Sequence, residues 1–208
     1  MYQSVAKKRV LLIAGLVLIL GILGLINYLN NQTTLKLTWI HAVRAEIYDS
    51  ENSSQPIKVT NVSGTTLHLN KKVYYVRYTG SDGYESSSKL VDLSNASQRV
   101  YYDPPYSEVH LQDILKNEGP VIQSALGSAF PAINQYKVQS EHLYKNGEWY
   151  GATLEYIGND IFNSDTLRVV AHKVDGRWSI PVDHPDITLS ALLYPKVPVD
   201  VLDAVNAE

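Results

Sequence analysis

The 208-residue chain contains no cysteine, two phenylalanines and one methionine. The missing cysteine excludes thiolate catalysis, cysteine-based metal sites, disulfide staples and a lipid-modified cysteine anchor. Stability must then come from burial alone, for which a chain of this length is sufficient. Also missing are Gly-x-Ser-x-Gly, a phosphate-cradling Walker loop, His-Glu-x-x-His and a Ser/Lys pair. No catalytic, cofactor-binding or metal-ligating residue is therefore assigned, and enzymatic activity is not expected. Charge is missing too, from Val10 through Leu35.

That uncharged stretch follows the cations Lys7, Lys8 and Arg9, and it is wholly apolar from Val10 to Ile26. It exceeds the roughly 7–15 residues of a signal-peptide core and lacks an Ala-x-Ala cleavage site, which favours a retained signal anchor over a cleaved signal. Extended to Leu29 it has about 20 residues, matching a hydrocarbon core of roughly 30 Å. The expectation is a cytoplasmic tail over 1–9 and a transmembrane anchor over 10–29 in the lipid bilayer. The cation bias then puts the N-terminus in the cytoplasm and the following domains outside, in a single-pass protein of the cell membrane. With no ionisable residue, the span would serve only as a tether or a packing surface.

The net charge is −3. Setting aside the three N-terminal cations leaves 15 basic against 21 acidic residues, which argues against a nucleic-acid partner. Tyrosine, at 15 residues, is plentiful where phenylalanine is scarce. Tyrosine suits half-buried sheet positions, so the excess points to β-rich structure. Four Asn-x-Ser/Thr sequons begin at Asn31, Asn52, Asn61 and Asn95, and they matter only in a glycosylating secretory pathway.

Residues 34–102 read as short strands and turns. Leu35–Trp39 alternates. In Val43–Tyr48, Val43, Ala45 and Ile47 fall on one face and Arg44, Glu46 and Tyr48 on the other. Val73–Tyr78 follows, then a break at Gly80-Ser81-Asp82-Gly83, then Ser88–Leu93 and Gln98–Tyr102. Six or seven strands at this spacing predict an all-β sandwich. The passage Leu69–Tyr84, a strand followed by Gly-x-x-Gly-Tyr, resembles a PEGA-type β-sandwich, although no Pro-Glu-Gly-Ala core is present. The resemblance implies a binding or structural module of the cell envelope, with no catalytic residue to carry over.

Asp103-Pro104-Pro105-Tyr106 marks a stiff Pro-Pro linker over 103–107. A second domain, 108–208, should be α+β, with helices packed on a curved antiparallel sheet. Ser107 caps a helix to about Asn117. Gly119-Pro120 opens a second helix to about Ala129, with Val121, Ile122, Ala125, Leu126 and Ala129 inward. Two hairpins follow, around Asn146-Gly147 and Asp175-Gly176, and a terminal helix covers Pro198–Ala207. Helices across such a meander, ending in Asp175-Gly176-Arg177-Trp178-x-Ile180, resemble the cystatin-like or nuclear-transport-factor-like cone. That resemblance implies a concave face able to hold a small ligand or a buried catalytic carboxylate or histidine. Glu141, Glu155, Asp160 and His172 are the candidates, and no spacing links any two of them.

Asp183-His184-Pro185-Asp186 is the most metal-like cluster, but Pro185 splays its side chains and a solvated turn is the simpler reading. On the strand Val73–Tyr78, Tyr74, Val76 and Tyr78 share one face. If those form the core, Tyr75 and Arg77 project outward near Tyr84, a surface able to stack on a sugar or dock a protein. Tyr75, Arg77 and Tyr84 are therefore the candidate partner-binding surface, for a glycan or envelope protein. The expected function is a membrane-anchored extracytoplasmic binding or structural module. Its alternatives are small-ligand or enzymatic activity in the concave face, or an accessory role in an envelope, pilus or secretion complex.

Overall fold

A computed structural model describes residues 2–158, 165–181 and 185–208, with side chains from residue 15 onward. The chain divides into two units. One comprises the residues up to Ser81 with Ser86–Pro104; the other comprises Asp82–Glu85 with Pro105–Glu208.

The chain begins with helix α1, Tyr2–Asn30. Among the described residues, no helix is long and apolar enough to cross a membrane. This corrects the transmembrane signal anchor over 10–29 and the single-pass cell-membrane location with its cytoplasmic N-terminus. The side chains of Lys7, Lys8, Arg9 and residues 10–14 lie outside the described set. The apolar side chains from Leu16 to Leu29 are exposed and belong to neither hydrophobic core.

The first unit has seven strands: β1 (Gln32–Trp39), β2 (Ala42–Tyr48), β3 (Lys58–Thr60), β4 (Thr66–Asn70), β5 (Val73–Gly80), β6 (Ser87–Asp92) and β7 (Gln98–Tyr102). They form two sheets, ordered β4-β1-β7 and β3-β2-β5-β6. In the first, β1 runs antiparallel to β4 and parallel to β7. One core takes side chains from both sheets, an arrangement compatible with a β-sandwich. Alternation explains which residues enter it. Leu35, Leu37 and Trp39 point inward from β1, Ala45 and Ile47 from β2, and Tyr74, Val76 and Tyr78 from β5. Tyr78 stacks on Tyr102 with ring centroids 4.2 Å apart, and Trp39 meets Tyr78 edge-on.

Val43 departs from the expected face. The β2–β5 register shifts between Ala42 and Arg44, so Val43 is an extra, bulged residue and is exposed. The passage Asp82–Glu85 departs as well, because it folds with the second unit. There Glu85 N–H donates to the Pro105 carbonyl and Ser107 N–H to the Gly83 carbonyl, both at 2.9 Å.

In the second unit a single helix, α2 (Glu108–Ala129), replaces the two expected. Ser107 caps it, its hydroxyl accepting from the His110 N–H. Pro120 lies inside the helix and removes a backbone donor, at a typical cost of about 3 kcal/mol. Leu111, Ile114, Leu115, Ile122 and Leu126 recur at helical spacing across the proline and pack on one core, which offsets that cost. Val121, expected inside, is exposed because it falls off this stripe; Ala129, also expected inside, lies on the stripe but is exposed at the last residue of the helix.

A short 3-10 turn, Pro131–Gln135, leads into β8 (Tyr136–Tyr144), β9 (Trp149–Tyr156), β10 (Leu167–Val174) and β11 (Arg177–Ser179), ordered β11-β10-β9-β8. The β10–β11 turn uses Asp175 and Gly176, both at positive φ (+49° and +77°), as a type I′ hairpin requires. Helix α3 (Val199–Ala207) closes the chain. Every β9 residue from Trp149 to Leu154 is buried, so this strand is covered on both faces. A side chain at Gly151 would point into Val205 of α3. By alternation Tyr150, Ala152 and Leu154 face the other way. On that side Glu118 of α2 binds Lys173 and Trp178.

Candidate functional site

With Tyr74, Val76 and Tyr78 inward, Tyr75 and Arg77 occupy the outer face of the β3-β2-β5-β6 sheet. Register fixes their neighbours: Tyr48 lies opposite Tyr75 and Glu46 opposite Arg77 on β2. On β6, Leu90 lies opposite Tyr75. On β3, Val59 lies opposite Glu46.

The polar side chains of this face hold one another. The Arg77 guanidinium carbon sits 4.2 Å from the Tyr48 ring centroid, and Arg77 Nη2 donates to the Glu51 carbonyl at 2.5 Å. Tyr48 donates its phenol proton to Glu46 Oε2 at 2.8 Å, and Arg44 pairs with the same carboxylate. The hydrogen bond to Glu46 holds the Tyr48 phenol above its ordinary pKa. Tyr48 is only 5% exposed although it faces outward. Arg77 is therefore held over an aromatic ring by its own contacts within the unit. Leu90 (61% exposed), Val59 (46%) and Val73 are open apolar positions on the same face, alongside Ser88 opposite Arg77 and Asp92 opposite Val73.

Tyr84 is not part of this sheet. It folds with the second unit, where it bridges to Tyr106 with ring centroids 4.8 Å apart, and Tyr106 in turn meets His110. Tyr48 and Glu46 complete the Tyr75–Arg77 face in its place. Their alternation marks them as outward, but only the β2–β5 register reveals that they lie beside Tyr75 and Arg77.

The described carboxylates and histidines among the candidates of the second unit each have a separate partner. A register shift between Gln139 and His142 leaves Ser140 (φ +46°) and Glu141 in a bulge. Glu141 accepts the Tyr150 phenol proton at 2.9 Å, whereas His142 faces Glu208 at 3.5 Å. Burial is the main cause that raises the Tyr150 phenol above its usual range, with Glu141 adding to it. Glu155 accepts from Gln139, and His172 stacks flat on Trp149 at 4.0 Å. Asp160, Asp183 and His184 lie outside the described residues. Asp186 forms a backbone bridge with Arg168. Among the described residues no group of three His, Cys, Asp or Glu could hold a metal ion.

No protein-family model matches the chain. No curated protein matches it either. Among solved structures, a DUF3823 family protein from Bacteroides ovatus is similar over 72% of this chain and 96% of its own. Identity is 9% and the TM-score 0.27, too low to carry fold or function across.

Proposed function

We propose that the chain is a non-catalytic binding module whose outer β3-β2-β5-β6 face docks a protein partner. One observation carries the reading: an arginine already held over a tyrosine ring shares one sheet face with exposed Leu90, Val59 and Val73. Tyrosine and arginine dominate the energetics of protein interfaces, above all where their side chains are pre-ordered. Exposed branched aliphatics favour a protein over a sugar, because they offer nothing to a hydroxyl-rich ring and an apolar contact to a protein.

The test compares the wild-type chain with Tyr75→Ala and Leu90→Asp as baits in extracts of the source cells, alongside a glycan array. The reading expects one stoichiometric protein partner, lost with either substitution. Array binding lost with Tyr75→Ala, and no protein partner, would replace a protein ligand with a saccharide.

A further inference from the structure

We propose that the outer face of the β4-β1-β7 sheet binds a tetrahedral oxyanion, sulfate or phosphate, between Lys36 and Arg99. This site is separate from the Tyr75–Arg77 face, and it stands or falls independently of the function proposed above.

The argument begins with what these three strands omit. β1 reads QTTLKLTW, β4 TLHLN and β7 QRVYY, with no aspartate or glutamate, in a chain that carries 21 acidic residues. The two full cations they do carry are set side by side, since the parallel β1–β7 register pairs Lys36 with Arg99. Like charges facing each other across a strand pair destabilise a sheet. Some cations of the fold are matched with carboxylates, as in Lys72–Asp49, Lys145–Asp200 and Lys173–Glu118, whereas here two cations face each other. Among the described residues neither Lys36 nor Arg99 has an ion pair. An unneutralised pair of this kind is the electrostatic complement of an anion.

Hydroxyls complete the donor set. Lys36, Arg99, Thr34, Thr66, Ser97 and Gln98 line a recess of about 290 Å³. The Ser97 hydroxyl oxygen accepts from Thr34 Oγ1 at 2.8 Å and from the Thr34 N–H at 3.3 Å. Its own proton is left to point toward Thr33 or into the recess. Ammonium, guanidinium and hydroxyl donors converging from three strands suit the four oxygens of sulfate or phosphate better than the two of a carboxylate. Tyr101, on the same face two residues beyond Arg99, is 56% exposed.

The experiment titrates the full chain with sodium sulfate, sodium phosphate, glucose 6-sulfate and glucose 6-phosphate at constant ionic strength set by chloride. Calorimetry gives affinity and amide NMR shifts give location. Saturable binding is expected, with shifts centred on residues 34–36 and 97–99. Lys36→Gln and Arg99→Gln should each weaken it at least fivefold, and Tyr75→Ala should leave it unchanged. Tighter binding of the esters would identify an ester-borne group, and equal affinity the free anion; either upholds the site. No saturable binding, or wild-type shifts that miss these residues, would overturn it even if a variant failed to fold.

Discussion

The Arg77 guanidinium carbon sits over the Tyr48 ring, 4.2 Å from its centroid, and this outward-facing tyrosine is only 5% exposed. The pair joins β2 to β5 on the open face of the sheet, and Arg77 also ties down the turn that follows β2 through the Glu51 carbonyl. Removing Arg77 should therefore cost stability, while removing an exposed neighbour should not. Arg77→Ala is expected to lower unfolding free energy by about 1–2 kcal/mol, from the lost cation–π contact and hydrogen bond. Leu90→Asp should stay within about 0.5 kcal/mol of wild type. Urea denaturation midpoints would separate the two.

Gly151 sits beneath α3. A methyl group added there would come within 2.2 Å of Val205 Cγ2 and 3.0 Å of the Tyr144 ring. Gly151→Ala should destabilise the protein by about 1–3 kcal/mol through overpacking. Val205→Ala alone leaves a cavity, and the double variant should recover part of both losses. A double-mutant cycle with favourable coupling checks this, and additive losses would contradict the contact.

Pro120 occupies the interior of α2, where its ring removes a helical hydrogen bond. Pro120→Ala is expected to stabilise the protein by about 1–3 kcal/mol, because the same apolar stripe is kept and the donor restored. Thermal unfolding would read this as a higher midpoint.

The Tyr78 hydroxyl is buried with no hydrogen-bond partner among the described residues. Tyr78→Phe should therefore be neutral or stabilising, by about 1 kcal/mol. The same burial gives an alkaline pH dependence. Burial pushes the Tyr78 and Tyr150 phenols well up, and burial with the nearby Glu208 and Glu108 charges pushes Tyr144 up to about 12. Above the ordinary tyrosine value of about 10, the unfolded chain gives up protons that the fold retains. Their contribution is complete below pH 10 and is lost as the pH climbs toward 12 and beyond. Chemical denaturation across pH 8–11.5 should show this decline, and Tyr78→Phe should make it shallower.

Local patterns in the chain made much of this architecture legible. Alternation along Val73–Tyr78 assigns Tyr74, Val76 and Tyr78 to the core, and Asp175-Gly176 marks a two-residue hairpin whose φ values only such residues adopt readily. What stayed hidden depends on partners distant in the chain. The bulges at Val43 and at Ser140-Glu141 each answer to a neighbouring strand, and nothing local announces them. Pro120 reads as a helix start until the buried stripe on both sides of it is seen to face one core. The apolar run after Arg9 reads as a membrane span by composition, whereas among the described residues no helix is long and apolar enough to cross a membrane. Tyr84 follows Tyr75 and Arg77 closely in sequence, yet it folds with the other unit. Lys36 and Arg99 are 63 residues apart, and only the parallel β1–β7 pairing brings them together.

The central claim, that the Tyr75–Arg77 face docks a protein, is tested most directly by photocrosslinking in the source cells. A benzophenone amino acid is placed at Leu90, with a control at Val121 on the exposed side of α2. The account predicts one adduct of defined mass from position 90, none from 121, and loss of that adduct when Tyr75→Ala is added. No adduct at position 90, or one that persists unchanged with Tyr75→Ala, would contradict it.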